Sequence, residues 1–432
     1  MTAGGGTIAI GSVPKSILEW PAKGNPYAVG KSGEALTVTR ALAPFVDADA
    51  DGLYDPTQGD YPDIDGDQAI FWVYNDKGNI HTETGGDAIG IEVQMMAFGF
   101  QTSDEVNDMT FYRYKVLNFS SSVLDSTYFG QWVDADLGAY DDDYVGCDTT
   151  LDLGICYNGD AVDGPTSPNY GENPPIVGTD FFQGPKKFFT DPDDGELDSV
   201  TLGMSAFLYY NNDFSTIGNP ELAAHYYGYL SGTWKDGSPF TRYGNGYGGS
   251  EPSNFMFPDD PDIPFPAWSE CQAQPTPPPF DRRYLQSSGP FTLEPGAKNE
   301  VVVGVVWVRP STQTGCGANF DAIRIADEKA QALFDADFEL IDGPDAPDLA
   351  VRELDEEIII SISNGGTSNN ANEDYEEADP IITKIIESDT TGTLSDSTYN
   401  FQGYIIYQLK NGLIGPAEYS DPDKARIVAQ VD

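Results

Sequence analysis

From Gln68 onward the chain alternates apolar and polar positions with the period of two that half-buried strands require. The segments AIFWVYND, IGIEVQMMAFGF, MTFYRYKVLNFS and STYFGQWVDADLG are separated by polar turns, some with Gly, and carry no helical pattern between them. Such a succession predicts antiparallel sheets closing into a β-sandwich. Between Gly159 and Pro279 the pattern dissolves into Pro, Gly, Asp and Tyr, which predicts long ordered insertions with occasional strands such as VTLGMSAFLYY. FTLEPGAKNEVVVGVVWVRP, Phe291 to Pro310, predicts a closing hairpin with EPGAK as its turn. One helix stands out in ANFDAIRIADEKAQALFDADF, where Phe320, Ile323, Ala330 and Phe334 recur at helical spacing and Asn319 is placed to cap the start. Strands at EEIIISISN and NFQGYIIYQLK follow a Pro-rich boundary near Gly343.

The fold class is therefore all-β. The expected organisation is an extended, Gly- and Pro-rich arm (1–45), an acidic loop (46–67), a large antiparallel β-sandwich with long insertions (68–316), a linking helix (317–342) and a smaller β-sandwich (343–432). No short-period tandem repeat suggests a solenoid or propeller.

Charge changes the picture most. Seventy acidic residues against 22 basic ones give a net charge of -48, which repels nucleic-acid phosphates and anionic lipid alike. Nucleic acid is excluded as a partner, and cations are favoured. No apolar run approaches the roughly 20 residues of a membrane helix, so membrane insertion by a helix is not expected. The first residues, MTAGGGTIAIGS, carry no basic, long-apolar leader, so an exported form would be a portion of a longer precursor.

The acidic loop DADADGLYDPTQGDYPDIDGD carries the most specific motif. Asp47, Asp49 and Asp51 alternate before Gly52, which lets the backbone bend and bring hard oxygen ligands to one side, with the Leu53 carbonyl and Asp55 next in line. That is Ca²⁺ chemistry. It departs from an EF-hand, because Gln58 stands where the bidentate Glu belongs and Pro56 stops the helix. Asp60, Asp63, Asp65 and Asp67, with Gly66 at the bend, complete the same centre or form a neighbour. A weaker candidate lies at Asp134, Asp136 and Asp142 in VDADLGAYDDDYVGCD, and DPDDGELD at Asp191 to Asp198 is weaker again. The alternative for all of these is a solvated acidic surface.

Catalytic signatures are missing. The two histidines, His81 and His225, lie beside no nucleophile motif, and no phosphate-cradling Gly loop with Lys occurs. Among 70 acidic residues no carboxylate pair can be singled out for glycoside hydrolysis. Cys147 and Cys156 bracket CDTTLDLGIC, which suits a hairpin stapled at its base, leaving Cys271 and Cys316 to pair over a longer span; four buried thiols are the alternative. Tyr227, Tyr229, Trp234, Tyr243 and Tyr247 fall in one aromatic stretch that suits a stacking platform for glycans, or the stiffening of long loops.

WPAKGNPY, APFVDADADGLYDPTQGDYPDIDGDQAIFWVYND, DDDYVGCDTTLDLGICYNGD, DFFQGP and YYGYLSGTWKDGSPFTRYGNGYGG together resemble the amino-terminal and central parts of large secreted Bacteroidota proteins that end in a type IX secretion sorting domain. The resemblance spans most of residues 20 to 340. It implies export and life at the cell surface or outside the cell, and a mature chain that continues past Asp432. APDLAV with FQGYIIYQLK resembles a fibronectin type III module, which implies a fibronectin- or immunoglobulin-like second domain. The expected function is a calcium-stabilised structural or adhesive module without enzymatic activity, associating with itself in a sheath or filament or with other surface proteins. A glycan-binding module is the alternative, and a secreted carboxylate hydrolase a remoter one.

Overall fold

A computed structural model of the chain describes residues 8–432 apart from 103–104, 191–196, 313, 339–342, 356, 380–381, 384–385, 387–395, 412–413, 415–418, 420 and 432. Most of the DPDDGELD segment thus lies outside the described residues. The chain divides into two compact units, residues 1–331 and 332–432.

In the first unit a short helix, α1 (Lys15–Leu18), precedes β1 (Phe45–Val46) and β2 (Tyr61–Pro62). Then come β3 (Gln68–Asn75), β4 (Ile91–Gly99), β5 (Thr110–Asn118), β6 (Leu124–Asp134), β7 (Asp143–Asp148) and β8 (Leu153–Asn158). β9 (Val162–Asp163) and β10 (Gly171–Glu172) lead to β11 (Ile176–Gln183), β12 (Lys186–Thr190), β13 (Leu197–Thr201) and β14 (Ala206–Asn211). Helix α2 (Ala223–Ser231), β15 (Arg282–Leu293), β16 (Lys298–Val308) and most of α3 (Asp321–Asp335) complete it, the last four residues of α3 falling in the second unit.

Two antiparallel sheets build the sandwich, one of seven strands in the order β3-β4-β5-β16-β11-β8-β7 and one of three in the order β14-β15-β6. Rings from their facing sides meet in the core. Tyr114 of β5 lies 5.0 Å from Phe129 of β6, which lies 6.0 Å from Phe181 of β11. The Thr179 and Tyr284 hydroxyls hydrogen-bond between the sheets at 2.7 Å, and Val145, Phe207 and Val303 are fully buried among these groups. Each such apolar side chain contributes about 1.5–3 kcal/mol by leaving water.

β7 and β8 are buried at every position. Their outer face is covered by Phe320 and by α3, whose stripe Ile323, Ala326 and Ala330 is buried, with Phe320 5.4 Å from Tyr157. Arg324 on the same helix anchors it, pairing with Asp148 at 2.7 Å and with Asp260. Asn319 does not cap α3; it precedes the helix by two residues and donates to the Asp321 carboxylate at 3.1 Å.

Three other expectations are corrected. Phe291 to Pro310 is not a hairpin, because β15 pairs with β6 and β14 whereas β16 pairs with β5 and β11, so the EPGA turn carries the chain from one sheet to the other. The middle section holds the nine-residue helix α2, so α3 does not stand alone. Cys147 and Cys156 are free, buried thiols. The β7–β8 register sets Cys147 opposite Gly154 and Cys156 opposite Val145. The two are diagonal neighbours, about 7–8 Å apart by normal sheet geometry, beyond the roughly 4.4–6.8 Å a disulfide spans. Cys271 and Cys316 do form a disulfide, with Cα atoms 5.7 Å apart.

The two edges of the large sheet differ. β7 is covered by the long segment after α2: its Val145 N–H donates to the Glu270 carboxylate at 2.8 Å and its Cys147 N–H to the Phe257 carbonyl at 3.1 Å. β3 has no backbone partner on its outer side among the described residues.

The second unit holds β17 (Asp348–Glu353) paired with β18 (Ile358–Ser363), β19 (Glu376–Ala378) with β20 (Thr398–Asn400), and β21 (Tyr404–Leu409) with β22 (Ala425–Val431), all antiparallel. No helix among the described residues is long and apolar enough to cross a membrane.

Candidate functional site

The acidic loop is a closed structure with its own plug. β1 and β2 form its neck, pairing Phe45 with Pro62 and Val46 with Tyr61. Tyr54 is buried inside it, edge-on to Phe45 at 5.4 Å, and its hydroxyl donates to the Ile17 carbonyl at 2.7 Å. The backbone then turns its N–H groups onto carboxylates. Ala48 and Asp55 donate to the two oxygens of Asp60 at 2.8 and 2.7 Å, and Gly52, at a positive φ of 80°, donates to Asp47 at 2.7 Å.

This folding brings carboxylate oxygens of Asp47, Asp49 and Asp60 within 4.8 Å of one another. Loss of hydration and the neighbouring Asp51, Asp60 and Asp47 carboxylates push the Asp49 carboxyl above its ordinary value. No Lys or Arg pairs with the three among the described residues. Three hard anionic ligands around one point, with backbone carbonyls and water to fill the remaining positions, fit Ca²⁺.

The other predicted ligands of this region are engaged elsewhere. Asp51 accepts from the Leu53 N–H at 2.7 Å, and Leu53 itself is exposed. Asp55 accepts from the Thr57 N–H and hydroxyl, Asp65 pairs with Arg113 at 2.9 Å, and Asp67 accepts from the Gln101 N–H at 2.8 Å. Asp63 is exposed. Asp60 is thus the member of the second cluster that joins the first.

A second acidic region gathers at one end of the sandwich. Asp134 and Asp136 stand with Asp281 within 4.8 Å, while Arg283 bridges Asp134 and Asp281 at 3.1 Å each. Asp281 was invisible as a partner in the sequence; it arrives because β15 runs antiparallel to β6 with Arg283 opposite Asp134. Asp142 lies apart from this trio and accepts from the Gly164 N–H at 3.0 Å. Burial, then the nearby Asp163, Asp160 and Asp141, push its carboxyl up to about 6. Asp143, more deeply buried and beside Asp142, Asp163 and Asp136, is pushed up to about 8. One oxygen in each of Asp134, Asp141, Asp142 and Asp143 is buried without a hydrogen-bond partner.

No known protein-family model matches the chain. No curated protein matches it either.

The aromatic platform does not form as expected. Tyr229 and Trp234 are buried, their polar atoms donating to the Gly218 carbonyl at 2.6 Å and the Gly246 carbonyl at 2.9 Å. These two rings meet edge to face at 5.8 Å and are held in the core, so they do not form an exposed platform with the other three. Tyr227, Tyr243 and Tyr247 are exposed but separately held: Tyr227 donates to the Ser126 carbonyl, Tyr247 to Asp236, and Tyr243 packs by Phe265 and Trp268. The histidines serve the backbone. His225 accepts from the N–H groups of Glu221 and Leu222 ahead of α2, and His81 meets the Asp76 carbonyl at 3.1 Å.

Proposed function

We propose that this chain is a calcium-stabilised, extracellular structural or adhesive module of a secreted surface protein, which associates with further copies of itself through the open edge of the large sheet. The observation that carries the calcium part is the convergence of Asp47, Asp49 and Asp60 without a basic partner. The Cys271–Cys316 disulfide supports an oxidising compartment. The edge strand β3 supports association: Ile70, Trp72 and Tyr74 are 62%, 37% and 48% exposed on one face of a strand whose outer backbone has no partner among the described residues. An apolar edge strand of this kind is a template for pairing with another chain.

The test is microscopy and light scattering of the purified protein with calcium, for wild type and for Trp72→Lys with Tyr74→Lys. Assemblies that disperse in the variant support the reading. Monomers in the wild type under all calcium conditions remove the assembly role.

A further inference from the structure

A second site lies on the outer face of the three-stranded sheet, remote in kind from the acidic loop. The register places Asp134, Arg283 and Tyr210 in one cross-strand row and Trp132, Leu285 and Leu208 in the next. Helix α2 covers only part of this face, held by the Ser287 hydroxyl donating to the Leu230 carbonyl at 2.7 Å. Beside it remains a cavity of about 510 Å³ lined by Trp132, Tyr210, Tyr226, Tyr229, Leu285 and Arg283.

We propose that this cavity binds a neutral pyranose residue of a polysaccharide. Trp132 and Tyr226 are 50% and 45% exposed, so each offers a ring to the cavity without giving up a core position. The Trp132 indole N–H donates to the Tyr210 hydroxyl at 2.6 Å, which fixes the ring and leaves the Tyr210 O–H free to donate onward. Asn219 at the rim donates to Asn212 at 2.8 Å and keeps its own carbonyl oxygen as an acceptor. An apolar ring face beside a few fixed polar groups is complementary to a sugar, whose C–H face stacks and whose hydroxyls both donate and accept.

Charge narrows the class. Arg283 is enclosed by Asp134 and Asp281, with Asp136 beside them, so this end of the cavity carries a net negative charge and disfavours uronic or sialic acids. The same charge would favour a quaternary ammonium group, so tetramethylammonium is the competing probe. A neutral sugar meets no charge objection and uses the fixed donor of Tyr210 and acceptor of Asn219, which a quaternary ammonium group leaves unused.

The experiment is calorimetric titration of the intact protein with cellohexaose, laminarihexaose, mannohexaose, xylohexaose and chitohexaose, with tetramethylammonium and polygalacturonate as charged probes, in calcium and in chelator. One neutral hexaose binds, and Trp132→Ala and Tyr226→Ala each weaken it tenfold or more, while Trp72→Ala on β3 leaves it unchanged. Tyr226→Ala alters an exposed helix position, so it reports even where Trp132→Ala unfolds the sheet edge. Persistence of binding in chelator keeps this result separate from the calcium reading. Binding by none of the hexaoses, binding indifferent to both substitutions, or preference for a charged probe overturns the proposal.

Discussion

The acidic loop of residues 47–67 and the acidic end of the sandwich around residues 134–163 concentrate the same side chain and treat it in opposite ways. In the loop, backbone N–H groups are spent on Asp47, Asp49 and Asp60 from a partly solvated shell, and their negative charge stays concentrated at one point. At the end of the sandwich, Asp142 and Asp143 are pushed up to about 6 and about 8 by burial, and Arg283 supplies a positive charge to Asp134 and Asp281. Density of carboxylates thus does not by itself locate a cation. What separates the regions is whether charge is kept and left without a counterion, or is suppressed by burial and matched by arginine.

The largest effect belongs to the buried side. Glu270 accepts from the Val145 N–H and pairs with Arg282 at 2.6 Å, both side chains being buried, and Arg282 also donates to Asn211 and the Pro278 carbonyl. Arg282→Met leaves that carboxylate without its cation and is expected to lower stability by about 3–5 kcal/mol in denaturant unfolding. A loss under 1 kcal/mol would show the pair to be solvated.

Next comes pH. Asp142, Asp143 and Asp327 have folded values of about 6, about 8 and about 8 against an ordinary 3.8, chiefly through burial. The folded chain therefore holds protons that the unfolded chain releases. Their contribution is complete below about pH 4 and is lost as pH rises through about 6 and then about 8. Thermal midpoints in chelator should fall between pH 5 and 8; a rise over that interval would contradict the burial of these groups.

The loop gives smaller and metal-dependent effects. Calcium at a hundredfold its dissociation constant adds about 2.7 kcal/mol, so chelation should lower the unfolding midpoint, and Asp49→Asn should remove the difference. Asp60→Ala takes the acceptor from two backbone N–H groups and should cost about 1–3 kcal/mol even in chelator. Asp51→Ala touches a single exposed acceptor of the Leu53 N–H and should stay within about 0.5 kcal/mol of wild type.

Much of this was legible in the chain because local patterning and packing agree. The strands at Gln68, Ile91, Thr110 and Leu124 follow the alternation closely, and the stripe of Phe320, Ile323 and Ala330 is buried as its spacing requires. The failures occur where partners are distant. EPGA has hairpin chemistry, yet β15 and β16 each find their ladder partners in different sheets, a choice made by which apolar face needs covering. Helix α2 is short and aromatic, so AAHYYGYLS carries little helical periodicity and owes its form to Tyr229 filling the space under it. Asp281 and Asp134 meet only through the β6–β15 register, and Cys147 misses Cys156 by one diagonal step of the β7–β8 ladder. Single-residue register is a property of the whole sheet, which no local window contains.

The most direct measurement of the central claim is calorimetric titration of calcium into chelator-stripped protein, for wild type and for Asp47→Asn with Asp49→Asn. Saturable binding in the wild type that disappears in the double variant is the predicted result. Absence of binding to the wild type, or equal binding to both, would contradict the account and leave the acidic loop as a solvated turn held only by its own backbone.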